Sequence, residues 1–309
     1  MRQGTNPILL KTARFFQAIP PLFLTWIEFF FKKKRRDKFP IIFLVATPRS
    51  GSTLTYQILN RGTKSLYISN FWNLLYALPL FGGKKVNDSY KNNDFKSDIG
   101  LVSGVSGESE GMKFWSYWIG QGLEQTRNTI AENRIKYIQS VFSTLVNNKK
   151  PLISGYLGHV FSIRFLRNFF PGSVFIYLKR DELSNIYSMV KTYREFDKNR
   201  IEFEWMSVKP KGWKERKDLD VIDKTFWQFK TVQKNIETSI SEKDTLVVRY
   251  EEICCNPHQF LKDVKEFVKK HDIDLNLNLD NIPTSFNYNI IQKTDDEDAK
   301  KIKSMLDEK

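Results

Sequence analysis

Cysteine is nearly missing from this chain of 309 residues: there are two, Cys254 and Cys255, and they are neighbours. Adjacent cysteines rarely close a structural disulfide, because the geometry is strained. Neither a disulfide framework nor a thiolate metal cluster is expected, and a reducing, cytoplasmic setting fits. Histidine is almost as scarce: His159, His258 and His271 show no ligand spacing, so no metal site is expected. No apolar run reaches the ~20 residues of a membrane span; residues 21–31 (PLFLTWIEFFF) cover about half of that and include Glu28. The basic residues follow this run (KKKRR, 32–36) instead of preceding it, and no small-residue cleavage site comes after it, which is the wrong order for a secretory signal. Internal repeats, low-complexity tracts and long Pro/Gly/Ser linkers are also missing.

What is present is enough apolar material for a full core: 41% of the residues, with 25 Phe and 7 Trp. Charge is strongly basic, at +14. Residues 1–40 hold nine basic and two acidic residues and so carry half of that excess. Such a balance suits polyanionic ligands, namely nucleotides, anionic lipid or nucleic acid, although no nucleic-acid-binding motif is found. Within 8–19, Ile8, Phe15, Phe16 and Ile19 fall near one helical face. Residues 1–38 therefore read as a basic, partly amphipathic helical appendage. Residues 8–36 can contact a membrane surface peripherally, or they form an ordinary helix packed on the domain beside a solvated charge run.

Beyond residue 38, short β-rich runs alternate with helical patterns. Strands are expected at 41–46 (IIFLVA), 151–154 (PLIS), 173–178 (SVFIYL) and 245–249 (TLVVR), the first and last of them buried in type. Helices are expected at about 52–60, 123–148, 182–196, 222–240 and 257–271, and a long polar loop at 82–107. The alternation predicts an α/β fold over residues 39–309, a three-layer P-loop-type domain with a central parallel sheet flanked by helices. Ligands are then expected at the carboxyl edge of that sheet.

The stretch 44–54 (LVATPRSGSTL) runs from a strand through Pro48, Arg49, Ser50, Gly51, Ser52 and Thr53 into a helix. Backbone N–H groups at such a helix start are unpaired and favour an anion. Gly51 permits close backbone approach, Ser52 and Thr53 add hydroxyls, and Arg49 adds a planar fork of donors. The loop is not a Walker A loop, because Ser52 stands where the lysine before the hydroxyl residue belongs. ATP γ-phosphate transfer, the enzymatic alternative of a nucleotide or small-molecule kinase, is disfavoured accordingly. A charge-driven membrane-surface module is the non-enzymatic alternative. A second anion grip follows the strand at 173–178, with Arg180 at its end and Ser188 eight residues on, near the helix face of Ser184.

TPRSGST after a first strand, R-x7-S after a later one, NFFP (168–171) before that strand and LVVRYEEICCNP (246–257) together resemble the PAPS-dependent sulfotransferases, in order and spacing over about residues 39–270. The resemblance implies that 3′-phosphoadenosine 5′-phosphosulfate (PAPS) is the co-substrate and that no metal is needed. It implies that the 47–53 loop binds the 5′-phosphosulfate, that Arg180 and Ser188 bind the 3′-phosphate, and that Tyr250 lies near the adenosine. Arg49, where cytosolic members carry lysine, points to the bacterial, carbohydrate and tyrosylprotein-like branch. The tyrosylprotein base is missing, since Ile68, Ser69, Asn70 and Phe71 occupy its region. The family's K-T-P-x-H stretch is replaced by Gly155, Tyr156, Leu157, Gly158 and His159, without the lysine. Three residues compete for the general base that an acceptor hydroxyl or amine needs. ESEGMKFWSYW (108–118) resembles the E-x-x-x-F-W stretch of some bacterial sulfotransferases, which puts Glu110 first and Glu108 second; Phe114, Trp115 and Trp118 would form an apolar wall, and His159 is the third. An acidic pair at a helix start, or a structural histidine, is the plainer reading of each.

Overall fold

The computed structural model describes residues 28, 30, 31, 33, 34, 36–84, 94–97, 100–125, 130–198, 204–291 and 296–308. The amphipathic stretch at 8–19 lies outside them, as does most of the apolar run that follows it. Five parallel strands form one sheet: β1 (Ile41–Ala46), β2 (Leu66–Tyr67), β3 (Leu152–Ser154), β4 (Val174–Lys179) and β5 (Thr245–Arg249), in the order β2-β3-β1-β4-β5. Around it run α1 (Ser52–Arg61), α2 (Asn70–Leu74), α3 (Pro79–Lys84), α4 (Met112–Ile119), α5 (Glu132–Leu145), α6 (Ile163–Phe169), α7 (Glu182–Lys198), α8 (Val221–Glu237), α9 (Tyr250–Cys255), α10 (Pro257–Lys269) and α11 (Glu297–Asp307). The α/β, P-loop-like architecture read from the alternation is the one observed.

All six residues of β1 are buried, as a continuous apolar run at the sheet centre requires. Phe43 packs between Phe175, Phe170, Trp115 and His159. A second apolar cluster joins α7, α8 and α11 through Ile186, Met189, Tyr193, Ile222, Phe229 and Ile302. β5 corrects the sequence expectation: it is the sheet edge, alternates buried with exposed residues, and leaves Val247 half-exposed. The helix expected from 123 starts only at Glu132. The expected loop from 82 opens inside α3, while α2, α9 and α11 carry too little periodic sequence to announce themselves.

The strand order decides where a ligand can sit. From β1 the chain crosses to β2 and β3 on one side and later to β4 and β5 on the other, so the crevice at a switch point opens between the carboxyl ends of β1 and β4. Ala46 pairs with Leu178 and Lys179 pairs with Arg249. Counting forward from these pairs puts Pro48, Arg180 and Tyr250 abreast on three neighbouring strand ends, about 5 Å apart from strand to strand.

In the segment before β1, Glu28 is buried. Its carboxylate accepts from the Leu80 and Phe81 N–H groups at the start of α3 and from the Tyr137 hydroxyl. Burial raises its pKa, against the pull of those donors. The Lys33 and Arg36 N–H groups donate to Thr144 and Ser143 of α5. These contacts pack the segment before β1 on α3 and α5, and no helix among the described residues is long and apolar enough to cross a membrane.

Candidate active site

The loop after β1 is built on two left-handed residues, Arg49 at φ 61° and Gly51 at φ 90°. Glycine tolerates that region freely, whereas arginine is strained there by about 1–3 kcal/mol, a cost that persists only where the surroundings hold it. Gly51 is the N-cap of α1 and gives no side-chain cap, so a serine-capped helix start is not what this loop is. Among the described residues no side chain caps the first N–H groups of α1, which leaves them open to an anion. A second reason for glycine is steric: a Cβ at position 51 would lie 2.1 Å from a ring carbon of Tyr250. Tyr250, first residue of α9 and directly after β5, thus packs directly against Gly51. Its phenol is shifted up by burial and by neighbouring Cys254.

Arg180 joins the two strand ends. Its Nη1 donates to the Arg49 carbonyl at 2.9 Å, its Nη2 to the Asn289 carbonyl at 3.3 Å, and its guanidinium carbon sits 5.2 Å from the Tyr250 ring centre. The Arg49 guanidinium is half-buried, and its pKa is lowered first by burial and then by the Arg180 charge. Among the described residues neither arginine forms a salt bridge to a carboxylate. Arg49 Nε and the fully buried Ser50 Oγ are without partners there. Buried unpaired polar groups cost about 1–3 kcal/mol each. Two cations pressed together beside uncapped N–H groups form a site whose missing term is negative charge.

The helix behind Arg180 is capped by Asp181, whose carboxylate accepts from the Ser184 N–H and hydroxyl; the Asp181 N–H in turn donates to Glu251. Ser184 Oγ also accepts from the Ile291 N–H, so the C-terminal segment runs across this end of α7. Ser188 lies one turn beyond Ser184 and is half-buried. Ser52 and Thr53 are half-buried on the first turn of α1, and a Cβ at Gly100 would come 3.3 Å from Thr53 Oγ1.

The three acid–base candidates separate sharply. Glu108 is buried and held by Arg61 in a forked pair at 2.9 and 3.2 Å, so both its oxygens are occupied. His159 is fully buried; its two ring nitrogens meet Ser154 Oγ at 2.7 Å and Gln121 Oε1 at 2.8 Å, and burial holds its pKa at about 3. Neither group is available to a substrate in this arrangement. Glu110 precedes α4 and is half-buried; removal from water pushes its pKa up to about 7, opposed by a bond from the Leu157 N–H just past β3. Phe114, Trp115 and Trp118 do not wall a pocket as expected. They turn into the core against Trp72, Phe142 and Tyr137. Sequence reading gave no role to Asn185, Glu251 or the segment at 286–291; of these only Glu251 falls inside a motif, the stretch at 246–257.

A family model described as the sulfotransferase family matches residues 40–271. No curated protein matches the chain. Among solved structures, a sulfotransferase from Mycobacterium avium shares 13% identity at a TM-score of 0.50, over 76% of this chain and 64% of that one. The sulfotransferase domain from the curacin biosynthetic pathway shares 15% at 0.44, over 88% and 99%. A sulfotransferase from Alicyclobacillus acidocaldarius shares 10% at 0.43, over 86% and 90%. At 13% identity the likeness to the Mycobacterium avium protein is one of fold.

Proposed function

This chain belongs to the sulfotransferase family, and from that premise we propose that it moves the sulfuryl group of PAPS to a hydroxyl or amine of an acceptor. The observation that carries the donor assignment is the 2.9 Å bond from Arg180 to the Arg49 carbonyl. It brings two cation-bearing strand ends within the span of one adenosine carrying phosphate at both its 3′ and 5′ positions. In this reading Pro48 to Thr53 cradle the 5′-phosphosulfate, Arg180 and Ser188 hold the 3′-phosphate, and Tyr250 lies beside the adenosine.

The reaction is an in-line displacement. The acceptor oxygen or nitrogen bonds to sulfur as the bond from sulfur to the bridging phosphate oxygen breaks. The broken bond's electron pair stays on the 5′-phosphate of the product, 3′-phosphoadenosine 5′-phosphate (PAP). Arg49 and the N–H groups of α1 meet that growing charge with fixed donors. Glu110 receives the acceptor proton; at a pKa of about 7 it is both substantially ionised and basic enough near neutrality.

Calorimetry tests the donor assignment. PAP should bind far more tightly than ADP with Mg²⁺, and Arg180→Ala should weaken PAP by ten- to a hundredfold while leaving adenosine 5′-phosphosulfate, which lacks the 3′-phosphate, within about threefold. Equal losses for both ligands would remove Arg180 from the 3′ subsite, and a preference for ADP with Mg²⁺ would support the kinase reading.

We further propose that residues 1–38 are a basic appendage that rests on anionic lipid and brings the enzyme to a membrane-near acceptor. Support comes from Phe30 and Phe31, 75% and 65% exposed beside exposed Lys33 and Lys34, while buried Glu28 ties this segment to α3. Each basic residue near such a surface contributes about 1 kcal/mol. Vesicles containing phosphatidylserine should pellet with the protein at low salt, and Lys33→Glu with Lys34→Glu should weaken that at least tenfold. Equal binding to neutral vesicles, or none to either, would overturn the proposal.

A further inference from the structure

We infer that Asn185 is a positioning residue that sets the spacing between the two anion subsites; the inference rests on the donor reading above. Asn185 is fully buried on α7, one residue from Ser184 and three from Ser188. Its amide is used at both ends. The Thr47 hydroxyl donates to Asn185 Oδ1 at 2.6 Å, and Asn185 Nδ2 donates to the Pro48 carbonyl at 2.6 Å. These partners lie 138 and 137 residues away in sequence, immediately before the strained Arg49.

The β1–β4 ladder ends at the pair Ala46–Leu178, so the sheet no longer holds the chain beyond that point. Three successive residues are tied instead to the β4–α7 unit: Thr47 through its hydroxyl and Pro48 through its carbonyl, both to Asn185, and Arg49 through its carbonyl, to Arg180. With these carbonyls engaged on one side, the N–H groups of Gly51, Ser52 and Thr53 are what the turn offers to an anion. The same clamp fixes the loop against the helix that carries Ser188. A ligand with one phosphate in each subsite gains its full advantage only if that separation is held, because any slack must be frozen out on binding.

The residue type suits this task. Only a carboxamide offers a donor and an acceptor side by side without charge; aspartate would lose the donor and set a negative charge behind an anion site. Leucine would keep the volume and lose both bonds.

The test compares PAP with adenosine 5′-monophosphate on the full chain by calorimetry. The ratio of their dissociation constants measures what the second phosphate gains from the fixed spacing. Asn185→Leu should weaken PAP at least tenfold and shrink that ratio by about tenfold. Thr47→Val, which removes one of the two bonds with little change in volume, should shrink it about threefold and gives the same readout if the leucine variant fails to fold. A role confined to folding would lower the melting temperature and the bound fraction alike for both ligands, leaving the ratio unchanged; that result, or wild-type constants in both variants, overturns the inference. If the unmodified protein binds neither probe, it is the donor reading that fails; if it binds PAP tightly and the variants match it, only the role of Asn185 does.

Discussion

Arg49→Ala should reduce turnover by a thousandfold or more, without loss of the fold. In the proposed displacement, charge collects on the oxygen between sulfur and the 5′-phosphate. A fixed donor aimed at developing charge is worth about 3–4 kcal/mol when it is a single neutral group, and more when it is charged and shielded from water. The same shielding makes Arg49 a burden on the empty protein. Its guanidinium is partly withdrawn from water and feels the Arg180 charge, which Glu195 offsets only in part, and it forms no salt bridge among the described residues. The melting temperature of the ligand-free variant is therefore expected to equal or exceed that of the parent, and PAP should stabilise it less. A radiolabelled PAPS assay against fractionated cell extract reads the first effect and thermal denaturation with and without PAP reads the second. Near-normal transfer by the variant would take Arg49 out of the chemistry.

Glu110→Gln should cost about 10²–10⁴ in rate, the usual span for a general base. The pH profile identifies the cause. The parent should gain activity as pH rises through about 7, where Glu110 ionises, and the glutamine variant should lack that limb. Stability should move the opposite way. The folded protein binds the Glu110 proton more tightly than the unfolded chain, since the pKa rises from 4.5 to about 7. Stability therefore falls as pH climbs between those values, and above 7 the full cost, up to roughly 3 kcal/mol, is present. Glutamine carries no such cost. Its advantage in melting temperature should be absent near pH 4, grow through pH 5–7 and level off above. A variant that keeps the parent's pH limb would leave Glu110 without a role as base.

The contrast between Glu108 and Glu110 shows where sequence reading runs out. Both precede the same helix, two residues apart, and only the resemblance to a bacterial E-x-x-x-F-W stretch, which puts Glu110 first, ranks them. Arg61, 47 residues away, takes both oxygens of Glu108, whereas Glu110 is withdrawn from water with a bond from the Leu157 N–H. His159 is similar: its flanking glycine and valine say nothing of Ser154 and Gln121, which occupy its two nitrogens. The aromatic run at 114–118 was legible as apolar, but not as core against solvent-facing wall, because α4 is too short for its periodicity to declare a face. β5 read as buried because its centre, Leu246 to Val248, is a continuous apolar run; that it lies at the sheet edge depends on strand order, which no run of five residues encodes.

By itself the sequence determined the elements whose signals are contiguous. These are the central strand at Ile41–Ala46, the strand–loop–helix around Arg49 and Gly51, the placing of Arg180 at a strand end before a helix, and hence an α/β fold whose proposed anion site is at its carboxyl edge. Backbone propensity, glycine's tolerance of positive φ and the open N–H groups of a helix start act over a few residues and can be read there. Only the tertiary structure decided which of these pieces meet. Arg180 reaches Arg49 across 131 residues because β4 lies beside β1, Tyr250 lies on Gly51 because β5 lies beside β4, and Asn185 clamps the loop because α7 packs under it. Contacts of that kind follow from sheet order and side-chain packing, which are properties of the whole chain.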